Sequence, residues 1–276
     1  MSRDPAPASG LRAVLDRWLP SPLLRASALL HGAALAAALA GRWRWALAVV
    51  AADQLAVAAA GLAPRSGLLG PVLRRLPPGP GPPAVALTFD DGPDPDTTPR
   101  ILDLLDEAGA RASFFPIGRR AARHPHLVAE AAHRGHGVEN HTYRHLPHFA
   151  FLGPRALGAE IDRAQALLTD LTGRRPAWLR PPAGMRNPWV GPLAAGRGLA
   201  LASWTRRGFD TVSGDPERVV RRLARDLAPG DVLLLHDGSS ARDAGGEPVV
   251  LAALPRLLAL LRDRGLQGIG LPWEST

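Results

Sequence analysis

The sequence predicts an α/β fold: a mainly parallel sheet forming a distorted or incomplete (β/α) barrel, preceded by an α-helical membrane hairpin. Three observations carry this reading. Two apolar stretches lie early in the chain, a Pro/Gly-rich segment follows them, and from residue 84 short β-rich runs alternate with helical patterns. Of 276 residues, 46% are hydrophobic and 21% charged, which excludes a disordered chain. Cys is absent, so disulfides, thiolate metal sites and cysteine nucleophiles are excluded. Any metal must be held by His and carboxylates.

Residues 1–22 form a polar, Pro-containing N-terminal segment. Residues 23–63 read as a transmembrane helical hairpin. Leu23–Ala40 is interrupted only by Arg25 and His31, and Trp45–Ala63 only by Asp53 and Gln54. Each stretch would span about 27 Å as helix, close to one hydrocarbon thickness. The link Gly41-Arg42-Trp43-Arg44 is short, basic and aromatic, and Trp43 and Trp45 suit a headgroup boundary. Two alternatives compete. Ala-rich core helices of a soluble domain would also explain the mid-segment Asp53, and Ala38-Leu39-Ala40 resembles a signal-peptide cleavage site. The hairpin reading implies a membrane protein of the bacterial inner (cytoplasmic) membrane. Arginine counts place both ends of the hairpin in the cytoplasm, while the chemistry below often acts outside, so the side is left open.

The net charge of +8 is unevenly placed, and all 33 basic residues are Arg. Residues 1–83 hold nine Arg against Asp4, Asp16 and Asp53, whereas residues 84–276 hold 24 Arg against 22 acids. The basic excess therefore flanks the apolar stretches, which favours membrane lipid as a partner and disfavours nucleic acid. Residues 64–83 end in Leu76-Pro-Pro-Gly-Pro-Gly-Pro-Pro83, a stiff linker that marks a domain boundary.

Residues 84–276 form the α/β domain. The predicted strands are Ala84–Phe89, Ala112–Phe115, Gly137–Glu139, Ala177–Leu179, Leu199–Trp204, Asp231–Leu235 and Leu266–Leu271. The predicted helices are Thr97–Ala108, Pro125–Arg134, Pro154–Thr172, Pro188–Ala195, Pro216–Ala228 and Pro248–Arg264, several opening on Pro as helices do. About 190 residues is short for a complete eight-fold barrel.

Polar residues collect just after the strands: Asp90-Asp91-Gly92, Asn140-His141, Arg180-Pro181-Pro182 and His236-Asp237-Gly238. Strand C-termini share one face in such folds, and catalytic groups gather there. Adjacent Asp90 and Asp91 should leave the strand in opposite directions, one able to ligate a metal and the other to take a proton. The His141-x-x-x-His145 spacing suits two imidazoles on one helical turn. His124, His126, His133, His136 and His148 read as surface or capping groups. Arg180 can hold a carboxylate ionised, and His236 can serve as a general acid near neutral pH.

Thr88-Phe89-Asp90-Asp91-Gly92-Pro93, His141-Thr142-Tyr143-Arg144-His145, Arg180-Pro181-Pro182-Ala183-Gly184 and Leu234-Leu235-His236-Asp237-Gly238 resemble, in order, the motifs of the polysaccharide deacetylases. These are carbohydrate esterase family 4, or NodB-homology, domains, and the resemblance covers about residues 84–272. It implies a distorted (β/α) barrel and metal-dependent hydrolysis of N-acetyl groups on amino sugars. It makes Asp90 the base, Asp91, His141 and His145 the ligands of a divalent metal, usually Zn2+, Arg180 the partner of Asp90, and His236 the general acid. Leu234 would line the acyl pocket, with Pro181 and Trp204 as further substrate-binding candidates. Asp210 is the candidate to orient His236, although Thr211 stands where the family usually has Trp.

The substrate that the resemblance implies is an amino-sugar glycan, polysaccharide or peptidoglycan-like. A lipid-linked amino sugar losing formyl or acetyl is the alternative. Two other classes stay open: a catalytically inactive carbohydrate-binding relic, and a non-haem iron site built on the same two-His, one-carboxylate set.

Overall fold

The computed structural model describes residues 19–78 and 81–272. Most of the expected segment 1–22, two residues of the Pro/Gly linker and the last four residues lie outside the described residues. In chain order the helices are α1 (Pro22–Leu39), α2 (Trp43–Leu62), α3 (Thr98–Glu107), α4 (Gly118–Ala121), α5 (Pro125–His133), α6 (Pro154–Thr172), α7 (Val190–Ala195), α8 (Pro216–Ala224) and α9 (Val249–Asp263). The strands are β1 (Ala84–Asp90), β2 (Ser113–Phe115), β3 (Gly137–Val138), β4 (Trp178–Leu179), β5 (Ala200–Leu201), β6 (Arg206–Arg207), β7 (Val232–His236) and β8 (Gln267–Ile269). Two compact units divide the chain. One comprises Met1–Val72, Leu146–Gly158 and Pro181–Leu201; the other comprises Leu73–His145, Ala159–Arg180 and Ala202–Thr276.

In the first unit, α1 and α2 are long and apolar enough to cross a membrane, by length and composition. Ser21 caps α1, its hydroxyl accepting from Leu24 N (3.2 Å) and donating to Leu68 O (2.5 Å). The second helix starts at Trp43, so Trp43 and Arg44 join its first turn instead of the link. The polar interruption at Asp53 is satisfied from the opposite helix. Ser27 Oγ donates to Asp53 Oδ2 at 2.7 Å, and His31 Nδ1 lies 3.5 Å from the same oxygen. A buried carboxylate is costly unless bonded, and Asp53 is buried with these partners. At the other end of α2, Arg186 N donates to Gly61 O at 3.0 Å. A Cβ at position 61 would collide with the Arg186 carbonyl, so the approach requires glycine.

The second unit is built on a parallel sheet in the order β3-β2-β1-β7-β6, with β8 alongside the first half of β1. This is the parallel α/β fold that the alternating pattern predicts. Val85, Leu87 and Phe89 of β1 and Leu233 and Leu235 of β7 enter one core cluster with Ile101, Leu105, Leu223 and Leu254 from the flanking helices. Successive side chains of a strand point to opposite faces. Thr88, Asp90, Leu234 and His236 therefore point to the other face, and the register pairs Thr88 with Leu234 and Asp90 with His236. A bridge between Asn140 and Leu179 continues the surface from β3 to β4.

Part of the 64–83 segment is tied down. Leu73 bridges Ala202 and Arg75 bridges Asp231. Arg75 Nη2 lies 2.6 Å from Asp231 Oδ1, and Arg206 Nε lies 3.2 Å from Oδ2 of the same fully buried carboxylate. Two short elements, α4 and β6, were not expected, and the run Leu199–Trp204 keeps strand geometry only at Ala200–Leu201. His136 is not a surface or capping group. It is 1% exposed, and the Ala112 N–H donates to its Nδ1 at 3.3 Å. Burial, followed by the charge of Arg111, pushes its pKa down to about 4.

Phe89 is fully buried and stacks on Phe114 with centroids 5.2 Å apart, whereas Phe151 is 74% exposed. Phe89→Ala is expected to cost about 3–5 kcal/mol in denaturant unfolding, and Phe151→Ala no more than about 0.5 kcal/mol.

Candidate active site

The strand β1 ends on Asp90, and the chain turns at Asp91 with φ of 73°, a left-handed conformation uncommon outside glycine. That turn overrides the strand alternation. The two carboxylates do not diverge: Asp90 Oδ2 is 3.9 Å and Asp91 Oδ1 3.4 Å from the same atom, His141 Nε2. Arg120 holds the turn by donating to the carbonyl oxygens of Asp91 and Gly238. Gly92 is required next, because a Cβ there would collide with the Asp237 carboxyl group. Asp237 is buried, takes a 2.7 Å hydrogen bond from Thr98 Oγ1, and is pushed by burial up to about 7.

His141 and His145 converge without the helical turn that their spacing suggests. Residues 141–145 form a loop in which Thr142 and His145 have φ of 63° and 53°. Asn140 organises it: its Oδ1 accepts from Thr142 N at 2.9 Å, and its Nδ2 donates to Ile161 O and Gln165 Oε1 on α6. Thr142 Oγ1 accepts from His145 N at 3.2 Å. The two imidazole centroids end 4.8 Å apart.

Asp91, His141 and His145 offer ligand atoms that all lie within 4.8 Å of one another. His141 Nδ1 lies 2.6 Å from Arg180 O, which assigns the proton to Nδ1 and leaves Nε2 facing Asp91. Asp91 Oδ1 is buried and accepts no hydrogen bond, although His145 Nε2 is 3.3 Å away. A bare carboxylate oxygen converging with two imidazole nitrogens is a donor set that fits a divalent cation. Burial works against ionisation of Asp91, but His141 and His145 outweigh it and hold the carboxyl well below its usual range. Burial and the neighbouring His141 push His145 down to about 4. Burial opposes the charged form of His141, but Asp90 and Asp91 more than offset this and raise its pKa. Below that raised pKa a cation entering this set competes with a proton for His141.

Beside this cluster, Arg180 is completely buried. Its Nη1 donates to Asp90 Oδ1 at 2.5 Å and to Thr88 Oγ1 at 3.0 Å, and its Nη2 donates to Ser203 O at 3.0 Å. The guanidinium lies 4.1 Å from the Phe115 ring centroid and 6.0 Å from that of Trp204. His236 closes the group. Asp210, fully buried, accepts from His236 N at 2.7 Å and pairs with its Nδ1 at 3.0 Å. Burial opposes protonation of His236, but Asp210, then Asp90 and Asp91, raise its pKa.

The structure thus brings together seven of the ten residues singled out by sequence: Asp90, Asp91, His141, His145, Arg180, Asp210 and His236. Trp204 and Leu234 are buried, the first beside Arg180 and the second one inward position below His236. Pro181 belongs to the other compact unit. Sequence reasoning missed the supports Thr88, Phe115 and Arg120, and placed Asn140 after a strand without giving it a role. Thr88 left one signal, as a polar residue in an otherwise apolar strand run.

Comparisons with known proteins identify the family. The family described as "Polysaccharide deacetylase" matches residues 78–201. A peptidoglycan-N-acetylglucosamine deacetylase of Bacillus cereus is 36% identical over 66% of this chain and 83% of its own. A chitooligosaccharide deacetylase of Sinorhizobium fredii is 35% identical over 68% of this chain and 89% of its own. Among solved structures, a family 4 carbohydrate esterase from Streptomyces lividans in complex with acetate superposes with a TM-score of 0.61. It is 34% identical and covers 67% of this chain and 91% of that one.

Equilibrium dialysis against a divalent cation is expected to give one bound ion per chain, with affinity falling toward acid pH as His141 protonates. Asp91→Ala is expected to abolish that binding, and Asp90→Asn to retain it.

Proposed function

Because the chain belongs to the polysaccharide deacetylase family, we propose that it is a metal-dependent hydrolase removing N-acetyl groups from the amino sugars of a peptidoglycan-like or chitin-like glycan. The observation that carries this reading is the convergence, at the ends of β1 and β7 and in the segments after β3, β4 and β6, of three groups of side chains. These are a triad able to hold a cation, a carboxylate paired with a buried arginine, and a histidine held by a buried aspartate.

Asp91, His141 and His145 would hold the cation, and their nitrogen and oxygen donors suit Zn2+. When bound, such an ion supplies Lewis acidity toward the amide carbonyl and lowers the pKa of water. The protein's own residues then divide the proton work. Asp90, paired with and oriented by Arg180, removes a proton from the attacking water. His236 enters in its protonated form, favoured by Asp210, and gives its proton to the departing amine. Water is consumed, the C–N bond breaks, and acetate and a free amino sugar leave. Leu234 would border the acyl methyl, and Pro181 and Trp204 would contact the sugar. Thr211, where the family usually carries Trp, would alter one wall of the groove.

We read residues 84–276 as the catalytic domain, 64–83 as its linker and 23–63 as a hairpin in a bacterial inner membrane. The two membrane-length helices favour a second reading within the same chemistry, in which the substrate is a lipid-linked amino sugar and the acyl group is acetyl or formyl.

The test is acetate and formate release by the zinc-loaded protein from N-acetylated oligosaccharides, peptidoglycan fragments and a lipid-linked amino sugar. Acetate from the glycans supports the first reading, release confined to the lipid-linked sugar supports the second, and no release from any overturns both. Asp90→Asn is expected to lower kcat by about 10²–10⁴-fold with the bound metal retained. For His236 the active form is the protonated one, so activity falls as pH rises through its pKa. That pKa is raised above the ordinary 6.5, so the alkaline limb lies above pH 6.5. Asp210→Asn removes the carboxylate that raises it and is expected to move the alkaline limb to lower pH.

A further inference from the structure

Beyond the catalytic residues, the unit containing α1 and α2 has an unusual surface. Leu19, Leu62 and Leu68 are 74%, 47% and 58% exposed, and Phe151 and Trp189 are 74% and 54% exposed. All five belong to one compact unit. Their neighbours are tied together at one end of the helix pair. Ser21, at the start of α1, bonds to the carbonyl of Leu68. Arg186 bonds to Gly61 at the end of α2, and its guanidinium donates to Ser66 O at 2.5 Å and Gly70 O at 3.0 Å. Asn187 Nδ2 donates to Leu152 O at 3.0 Å, joining the residue next to Phe151 to the segment that carries Trp189. The segments that carry Phe151 and Trp189 are therefore bonded to the base of the hairpin, next to which Leu19, Leu62 and Leu68 lie in the chain. Trp43 and Trp45 mark its opposite end, about 30 Å away along a 20-residue helix.

Charge points the same way. Among the described residues of this unit, seven arginines stand against one acid, Asp53, which is buried between the helices. Arg25, Arg65 and Arg155 are exposed. Aromatic side chains beside an apolar span, with exposed arginines and no exposed acid among the described residues, match the headgroup boundary of an anionic bilayer.

We propose that Phe151 and Trp189, with Leu19, Leu62 and Leu68, form an interfacial collar that seats this unit in the headgroup layer of an anionic lipid membrane. The proposal rests on the membrane reading of α1 and α2. It adds a second attachment, made by segments far from the hairpin in sequence. Those segments have a direct chain connection to the site: one begins immediately after His145 and the other immediately after Arg180.

The chain has no native Cys, so single cysteines can carry a polarity-sensitive dye. The full chain would be labelled at Phe151→Cys, Trp189→Cys, Leu29→Cys within α1, and Val212→Cys, which is 76% exposed in the other unit. Each would be reconstituted in phosphatidylcholine vesicles with or without phosphatidylglycerol, with metal binding as the check of folding. Quenching would be read from nitroxides at the headgroup, in the acyl chain and in water. The expected result is strong headgroup quenching at 151 and 189, increased by phosphatidylglycerol, with acyl-chain quenching at 29 and aqueous quenching only at 212. Aqueous quenching alone at 151 and 189, with position 29 still reached from the acyl chain, overturns the collar and leaves the hairpin standing. Aqueous quenching at 29 overturns the membrane reading itself. A dye at 151 or 189 shielded from every quencher indicates a protein partner and also overturns the collar.

Discussion

The site depends on one buried cation. Arg180 has no exposed surface, so its charge is tolerable only when paired and hydrogen-bonded. Its guanidinium meets Asp90, Thr88 and the Ser203 carbonyl, between Phe115 and Trp204. Its own carbonyl receives His141 Nδ1. One residue thereby orients the candidate base through its side chain and a candidate metal ligand through its backbone. Removing the charge would leave Asp90 buried beside a second carboxylate, Asp91, without its ion-pair partner.

The sheet makes this arrangement possible by register. Because β1 and β7 are parallel and Asp90 pairs with His236, the base and acid candidates stand side by side on one face. The opposite face of the same strands carries Phe89, Leu233 and Leu235 into the core. Strand alternation thus separates stability from chemistry. The departures occur where the chain leaves the strands: Asp91, Thr142 and His145 all take positive φ. Such conformations are strained for non-glycine residues and persist where surrounding bonds over-determine them. Here the bonds come from Arg120 and Asn140.

Much of this was legible in the sequence. Apolar runs ending in Asp90 and His236 announced strands delivering polar groups to one edge, and the ordered motifs announced the triad and its neighbours. What stayed hidden has physical causes. Spacing alone cannot distinguish a helical turn from a loop held by Asn140, so the His141-x-x-x-His145 pattern reads as a helical turn where the structure has a loop. Adjacent aspartates looked divergent because nothing in the pair Asp90-Asp91 reveals a left-handed turn. Acceptors such as Ser203 O and Leu233 O are backbone atoms that any residue supplies. In the hairpin, Asp53 looked like an interruption until its partners Ser27 and His31 were seen on the facing helix.

The central claim is that Arg180 acts on the chemistry through Asp90. A double-mutant cycle on acetate release tests it, with Arg180→Lys, Asp90→Asn and the pair compared in metal-loaded protein. Coupling through Asp90 predicts that the double variant falls only slightly below Asp90→Asn alone, because the group that Arg180 serves is already gone. Losses that multiply independently would contradict the account.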